Sequence, residues 1–108
     1  MNEHERYLFD LQGFIAVPNA LDEAQLAKLN GIWDEKIASE SNTETTTQRW
    51  GNLLQWGQPY RDLIDNPRIT PYLEELLGDR FRLDHDYADL IRSGKGPIGT
   101  RLHGGCTP

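Results

Sequence analysis

The spacing of apolar residues changes once along the chain, and this change is the feature that most constrains the fold. Before Gly78, apolar side chains recur every three or four residues, as they do on the buried face of a helix. In FRLDHDYADLI, at positions 81–91, bulky and small side chains alternate instead, which is typical of a strand. The odd positions from Phe81 to Ile91 carry the bulk, so we expect that face to point inward. The pattern predicts an α+β chain in which helices precede strands.

Two helices have clear end signals. Asp22 and Gln25 have the spacing of a capping box, and an apolar stripe follows them. A second helix is predicted in ITPYLEELLGD, with Pro71 in its first turn and Gly78 just after its end. The predicted stripe of the first helix comprises Leu26, Leu29, Trp33 and Ile37, and that of the second comprises Tyr72, Leu73, Leu76 and Leu77.

The segments around these helices are less regular. GFIAVPN, at 13–19, reads as a strand or pre-strand that ends at its proline. The polar patch SESNTETTT predicts a mobile loop over 39–48. QRWGNLLQWGQPYRDLIDNP, at 48–67, is rich in aromatic residues and interrupted by glycine, so we expect short helical turns there. SGKGPIGT, at 93–100, predicts a glycine-rich hairpin or loop.

Composition narrows the class of protein. The 108 residues suffice for one domain, and 17 acidic against 11 basic side chains give a formal charge of −6. Because no cluster of Lys or Arg stands out, binding to nucleic acid or to anionic membranes is disfavoured. No apolar run approaches the length of a membrane span, and the start of the chain is too polar for a signal peptide. The single cysteine, Cys106, cannot form an internal disulfide, which fits a cytoplasmic protein.

Three pieces of the sequence, in this order, resemble the phytanoyl-CoA dioxygenase family of non-haem iron(II), 2-oxoglutarate-dependent oxygenases. The first piece is YLFDLQGFIAVPNALDEAQLAKL, and the second is DNPRITPYLEELLGDRFRL. The third is DHDYADLI followed by a glycine-rich turn and the histidine of RLHGG. Together the pieces span nearly all of the chain, and their order and spacing carry the resemblance.

The resemblance implies a fold and a reaction. The fold is a double-stranded β-helix, a cupin-like jelly roll with N-terminal helices packed against it. Fe(II) is held by two histidines and a carboxylate, and 2-oxoglutarate and dioxygen take the remaining positions. Oxidative decarboxylation of 2-oxoglutarate is coupled to hydroxylation of a small organic substrate. Of the iron ligands, only His103 has a counterpart in this chain.

Residues 1–108 therefore match the N-terminal part of a single dioxygenase domain, and we expect this piece alone to be inactive. The carboxylate of the family motif, two residues after its histidine, is replaced by Gly105. Three explanations are open: a carboxylate from beyond residue 108 in a subfamily with a shifted motif, a halide-binding position as in related iron halogenases, or a degenerate site. The first is favoured. A rival from another class is a non-catalytic jelly-roll or helical binding module in which HGG is a turn.

Other residues are candidates for a substrate pocket. On a strand, Asp84 and Asp86 would face away from His85, so a metal site is not expected there. His85 and Tyr87 would share the inward face, where they either line the pocket or pack in the core. Trp56 and Trp50, in the glycine-interrupted segment, are candidates for a lid over the substrate. Trp33 lies on a helix stripe and is expected in the core, and Cys106 is expected to be a packed side chain rather than a ligand. Gly104 and Gly105 would allow a close backbone approach to iron or a cosubstrate, or would form a plain turn. Substrate and oligomeric state do not follow from the sequence.

Overall fold

A computed structural model describes residues 1–93 of the chain. Helices supply most of the regular structure in residues 1–93, and two strands form an antiparallel sheet. In chain order the elements are α1 (Glu3–Gln12), α2 (Glu23–Glu40), β1 (Thr47–Gly51), a 3-10 turn (Leu53–Trp56), α3 (Gln58–Arg61), α4 (Thr70–Leu77) and β2 (Tyr87–Ile91). The jelly roll implied by the family resemblance remains a prediction, because a two-stranded sheet fits many folds. None of the described helices combines the length and apolarity that crossing a bilayer requires.

The start of α2 confirms the predicted capping box. The backbone N–H of Gln25 donates to the Asp22 carboxylate at 2.7 Å, and the backbone N–H of Asp22 donates to the Gln25 side chain at 2.9 Å. These two bonds satisfy amides that the first helical turn leaves unpaired. Along the predicted stripe, Leu29 is buried, Trp33 and Ile37 are half-buried, and Leu26 remains largely exposed.

The first helix, α1, was not predicted from the sequence. Asn2 caps α1 by accepting from the backbone N–H of Glu5, and Gly13 ends it in the left-handed conformation with φ 78°. The predicted strand in GFIAVPN is wrong: residues 13–17 form no strand, and no described strand pairs with them. A short apolar run becomes a strand only where another strand can take its hydrogen bonds.

The predicted mobile loop over 39–48 is shorter in the structure. Helix α2 continues to Glu40, and β1 begins at Thr47. Gln48 bridges the connection, because its side chain accepts from the Asn42 backbone at 2.7 Å and donates to the Glu40 carbonyl at 2.8 Å. Within the predicted loop, only residues 41–46 lie outside α2 and β1.

Strands β1 and β2 pair so that Thr47 lies opposite Ile91 and Gly51 lies opposite Tyr87. The predicted strand over 81–91 is confirmed only from Tyr87 onward; residues 81–86 are irregular. The prediction that its odd face points inward is wrong for β2 itself. Ala88 and Leu90 are half-buried, whereas Tyr87, Asp89 and Ile91 are exposed.

The small core lies where α2, β1 and the 3-10 turn meet. The Trp33 and Trp50 rings stand edge to face with centroids 5.4 Å apart, and Trp56 lies 6.0 Å from Trp33. The indole N–H of Trp50 donates to the Glu40 carboxylate at 3.0 Å. Trp50 and Leu29 are the buried apolar side chains of residues 1–93. The expected core position of Trp33 fits this arrangement, and the expected short turns are confirmed from Leu53 to Arg61.

Helix α4 has the predicted ends. Pro71 lies in its first turn, and Gly78 follows its last residue with φ 83°. Of the predicted buried stripe, Tyr72 and Leu73 are half-buried, but Leu76 and Leu77 are exposed in the described part of the chain. α4 contacts α1 through polar groups: the Tyr72 hydroxyl donates to Glu5 at 2.9 Å, and Glu75 pairs with Arg6 and with the Met1 amino group.

Candidate functional site

A cavity of about 300 Å³ lies between the 3-10 turn, the segment that follows α3 and the residues that lead into β2. This volume is at the lower end of the range for small-molecule sites. Most of the cavity lining is aliphatic. The polar side chains of the lining are Tyr60 from α3 and residues 85–87. The aliphatic lining residues are Leu53, Leu54, Leu63, Ile64 and Leu83.

Asp86 holds two walls of the cavity together. Its carboxylate accepts from the backbone N–H of Leu54 at 2.8 Å, and its carbonyl oxygen accepts from the backbone N–H of Asn52 at 3.2 Å. Asn52 adopts the left-handed conformation with φ 57°, which turns the chain from β1 directly into the 3-10 turn. This turn brings Leu53 and Leu54 to face the segment that contains Leu83.

His85 lies at the polar side of the cavity, next to a carboxylate. Its Nδ1 is 2.7 Å from the Asp84 carboxylate, and its ring stacks on Tyr87 with centroids 5.1 Å apart and an interplanar angle of 5°. The expectation that Asp84 faces away from His85 is wrong, because β2 begins only at Tyr87 and the alternation of a strand does not apply before it. The carboxylate orients the imidazole and leaves Nε2 as its other polar atom.

Tyr87 is held from the opposite strand. The Arg49 guanidinium lies 4.1 Å from the Tyr87 ring centroid, and it donates two hydrogen bonds of 2.7 Å to Asp89. These hydrogen bonds hold the pKa of Asp89 below its ordinary value and raise the pKa of Arg49. Both groups therefore stay ionised at neutral pH, and the cation is held over the Tyr87 ring.

Tyr60 closes the cavity on the side of the aromatic core. Its hydroxyl donates to the Leu29 carbonyl at 3.3 Å, and its ring stands edge to face with Trp56 at 5.2 Å. Burial raises the pKa of Tyr60, so the phenol keeps its proton at neutral pH. The protonated hydroxyl donates to the backbone of α2.

The three predicted pocket residues do not all meet at this cavity. His85 and Tyr87 line it, whereas Trp56 lies behind Tyr60 in the aromatic cluster and is not part of the lining. The lid proposed for Trp50 is wrong, since that side chain is buried against Trp33 of α2. The aliphatic lining was not predicted from the sequence. The paired residues Leu53–Leu54 and Leu63–Ile64, on either side of the Gly57-Gln58-Pro59 break, were the signal that could have shown it.

A second hollow of about 360 Å³ lies between α2 and α3. Leu63 lines both cavities, but the second one is bordered by Gln25, Lys28, Gln58 and Asp62, so its rim is more polar. No predicted site residue falls there. The cavity beside His85 is therefore the better candidate for a site that binds organic molecules.

The described residues do not form a metal site. Among residues 1–93, no group of three or more His, Cys, Asp or Glu side chains is placed to hold a metal ion. His85 and Asp84 are two neighbouring groups of the kind that bind metals, one fewer than the three that such a site needs. His103, predicted as an iron ligand, lies outside the described residues, as do Gly104, Gly105 and Cys106. The described part of the chain therefore does not fit an iron centre by itself.

Comparison with known proteins gives one informative match. No protein-family model and no solved structure matches the chain. The chain is similar to the protein named Dioxygenase af480 from Aspergillus fumigatus, with 28% identity over 93 residues. The match covers 76% of this chain and 30% of the relative, so the chain spans about a third of the relative's length. Over most of its residues, the chain thus resembles part of a dioxygenase.

Proposed function

We propose that the chain forms the N-terminal part of a non-haem Fe(II)- and 2-oxoglutarate-dependent dioxygenase that hydroxylates a small organic substrate. The observation that carries this proposal is the similarity to a protein named as a dioxygenase, over 76% of the chain. The family resemblance of the motifs around GFIAVPN, α4 and RLHGG supports the more specific iron and 2-oxoglutarate chemistry. The complete domain is proposed to be a jelly roll.

In this proposal the described residues bind and orient the substrate. The aliphatic lining of the cavity excludes water from the apolar part of a bound molecule. The Asp84–His85 pair and the ring of Tyr87 contact its polar end. The iron ligands belong to other residues, with His103 as the proposed first ligand by resemblance.

The test uses the native polypeptide that carries this chain, supplied with Fe(II), 2-oxoglutarate, dioxygen and ascorbate, which reduces the oxygen atom that no substrate takes up. We expect formation of succinate, and we expect His103→Ala to abolish it and to lower Fe(II) binding. His4→Ala is the matched control, because His4 lies on the exposed side of α1, away from the cavity. Full succinate formation in His103→Ala would remove the proposed role of that histidine. Absence of succinate from the unchanged protein would contradict the proposal as a whole.

A non-catalytic binding module is the second candidate, and one observation favours it: residues 1–93 contain a cavity but no metal cluster. Ligand binding by a native polypeptide that neither binds Fe(II) nor forms succinate would establish this function instead. The halogenase alternative raised by Gly105 is distinguished by the product, which would contain chlorine in place of a new hydroxyl group when chloride is supplied.

A further inference from the structure

We infer that the cavity beside His85 binds neutral, largely apolar small molecules and discriminates against anionic ones. This inference deepens the proposed function by naming the substrate class. The inference depends on the proposed function only in one respect, namely that the bound molecule is a substrate. The binding preference itself follows from the lining, the hydrogen bonds and the charges of the described residues.

The lining supplies apolar surface that is still exposed to water. Leu63, Ile64 and Leu83 retain 40%, 42% and 50% of their accessible surface, and all three surround the same hollow. Large apolar side chains gathered around one concave surface bind ligands through the burial of apolar area. A hydrocarbon chain or ring therefore gains most from this site.

The polar groups of the lining are largely occupied by the protein. The Tyr60 hydroxyl donates to the Leu29 carbonyl, and the Asp86 carboxylate accepts from the Leu54 backbone. His85 Nδ1 contacts Asp84, and no described residue hydrogen-bonds its Nε2. With Nδ1 donating to Asp84, the Nε2 atom of a neutral imidazole is an acceptor, so one hydroxyl group of a ligand can donate to it. The lining has no cluster of donors for a carboxylate or phosphate.

The charges at the cavity repel anions. Asp86 lines the cavity, and the exposed Asp84 carboxylate lies just outside the lining, where it contacts His85. The nearby Arg49 is neutralised by Asp89, and the Arg61 guanidinium is held by the Leu54 carbonyl and by Gln58. With Asp84, Asp86 and Asp89 at −1 each and Arg49 and Arg61 at +1 each, the five groups carry a net charge of −1, which repels an anionic ligand. A neutral ligand avoids this repulsion.

The experiment compares 1-octanol with octanoate at pH 7, because the two share an eight-carbon chain and differ in charge. Each is titrated, below the concentration at which it aggregates, into the 108-residue chain, and binding is followed by the NMR shifts of leucine and isoleucine methyl groups. We expect 1-octanol to bind at least tenfold more tightly than octanoate. Equal affinities, or tighter binding of octanoate, would overturn the inference, and so would failure of 1-octanol to bind the folded chain.

Two exposed leucines provide a matched pair of variants. Leu83→Glu places a charge in the cavity and is expected to weaken 1-octanol binding by about tenfold, whereas Leu77→Glu, on α4 and outside the lining, leaves the affinity unchanged. Asp84→Asn is expected to lower the ratio of the 1-octanol affinity to the octanoate affinity by about threefold, because it removes one carboxylate. Far-UV circular dichroism checks that each variant is folded. An unchanged 1-octanol affinity in folded Leu83→Glu would place the binding site elsewhere and refute the inference.

The two proposals fail separately. Loss of the octanol preference leaves succinate formation by the native polypeptide unaffected, and it contradicts only the substrate class. Octanol binding to a protein that forms no succinate would show that the cavity binds neutral ligands. It would also show that the bound molecule is not the substrate of a dioxygenase.

Discussion

Arg49 and Asp89 lie directly opposite each other on β1 and β2, and two parallel hydrogen bonds of 2.7 Å join the guanidinium to the carboxylate. The two residues are 40 positions apart in the chain. Their pairing fixes the register of the two strands at the edge of the candidate site. It also places the Arg49 cation over Tyr87, which lines the cavity.

The Arg49–Asp89 contact is expected to behave as one unit. Arg49→Gln and Asp89→Asn should each lower the midpoint of urea unfolding, and the double variant should lose little more than either single variant, since both remove the same hydrogen bonds. The effect is expected to be modest because the Arg49 side chain is 61% exposed and water competes for it. Strictly additive losses in the double variant would show that the two side chains act independently.

Stability is expected to fall in acid. The pKa of Glu5 is lowered chiefly by the Asn2 backbone N–H, that of Glu40 by the Lys36 ammonium, and that of Asp89 by Arg49. A carboxyl group with a lowered pKa in the folded state binds its proton later than it does in the unfolded chain. Its stabilising effect is complete above the ordinary pKa and is lost as the pH falls through the folded-state pKa. Urea unfolding should therefore give a constant midpoint near neutral pH and a falling one below about pH 4.5.

The variant Asp89→Asn provides the control for this pH dependence. It removes one of the groups whose pKa is lowered, so its midpoint should depend less steeply on pH in the acid range than that of the unchanged chain. An equally steep dependence would mean that Asp89 contributes nothing to the acid effect.

Asn66 joins the segment before α2 to the start of α4. It is only 6% exposed; its amide donates to the Ala20 carbonyl at 2.9 Å, and its side-chain oxygen accepts from the Arg68 backbone at 2.9 Å. Asn66→Ala leaves both partners unpaired and should lower the free energy of unfolding by about 2 kcal/mol. Asn66→Asp keeps the acceptor but turns a carboxylate toward the Ala20 carbonyl. Its loss should therefore shrink at acid pH, relative to the unchanged chain, when the new side chain is protonated. A loss near zero for Asn66→Ala would contradict this role.

Trp50 is expected to be the most sensitive core position. Trp50→Ala removes the edge-to-face contact with Trp33 and the hydrogen bond to Glu40, and it should cost about 3 kcal/mol of unfolding free energy. Trp50→Phe keeps an aromatic ring in place and should cost less than half as much. The near-ultraviolet circular dichroism of the Trp33–Trp50 pair should vanish in both variants. A Trp50→Ala chain as stable as the unchanged one would show that the core lies elsewhere.

The sequence predicted features that depend on neighbouring residues. The capping box of α2 was predictable because Asp22 and Gln25 supply all of its atoms within one turn. The C-terminal end of α4 was predictable because Gly78 has the positive φ that such an ending favours.

Features that depend on distant partners were not predictable. β1 was missed because TQRWG becomes a strand only through pairing with residues 87–91. The strand assigned to GFIAVPN failed for the converse reason, since nothing in the described chain pairs with it. At the candidate site, His85 and Tyr87 were identified, but their geometry was not. Whether Asp84 lies on the same side of the chain as His85 depends on the residue at which β2 begins. Pairing with β1 determines that residue.

The pairing of Gly51 with Tyr87 has a consequence for the order in which the chain folds. It closes a loop that contains α3 and α4. Closing such a long loop costs conformational entropy, whereas a helix forms from neighbouring residues without closing a loop. We therefore expect the helices to form before the strands pair. Because the Leu54–Asp86 contact lies directly beside this pair, the cavity walls come together in the same late step. A ligand that binds there would retard the opening of the sheet, so the lifetime of the strand pair would report occupancy of the site.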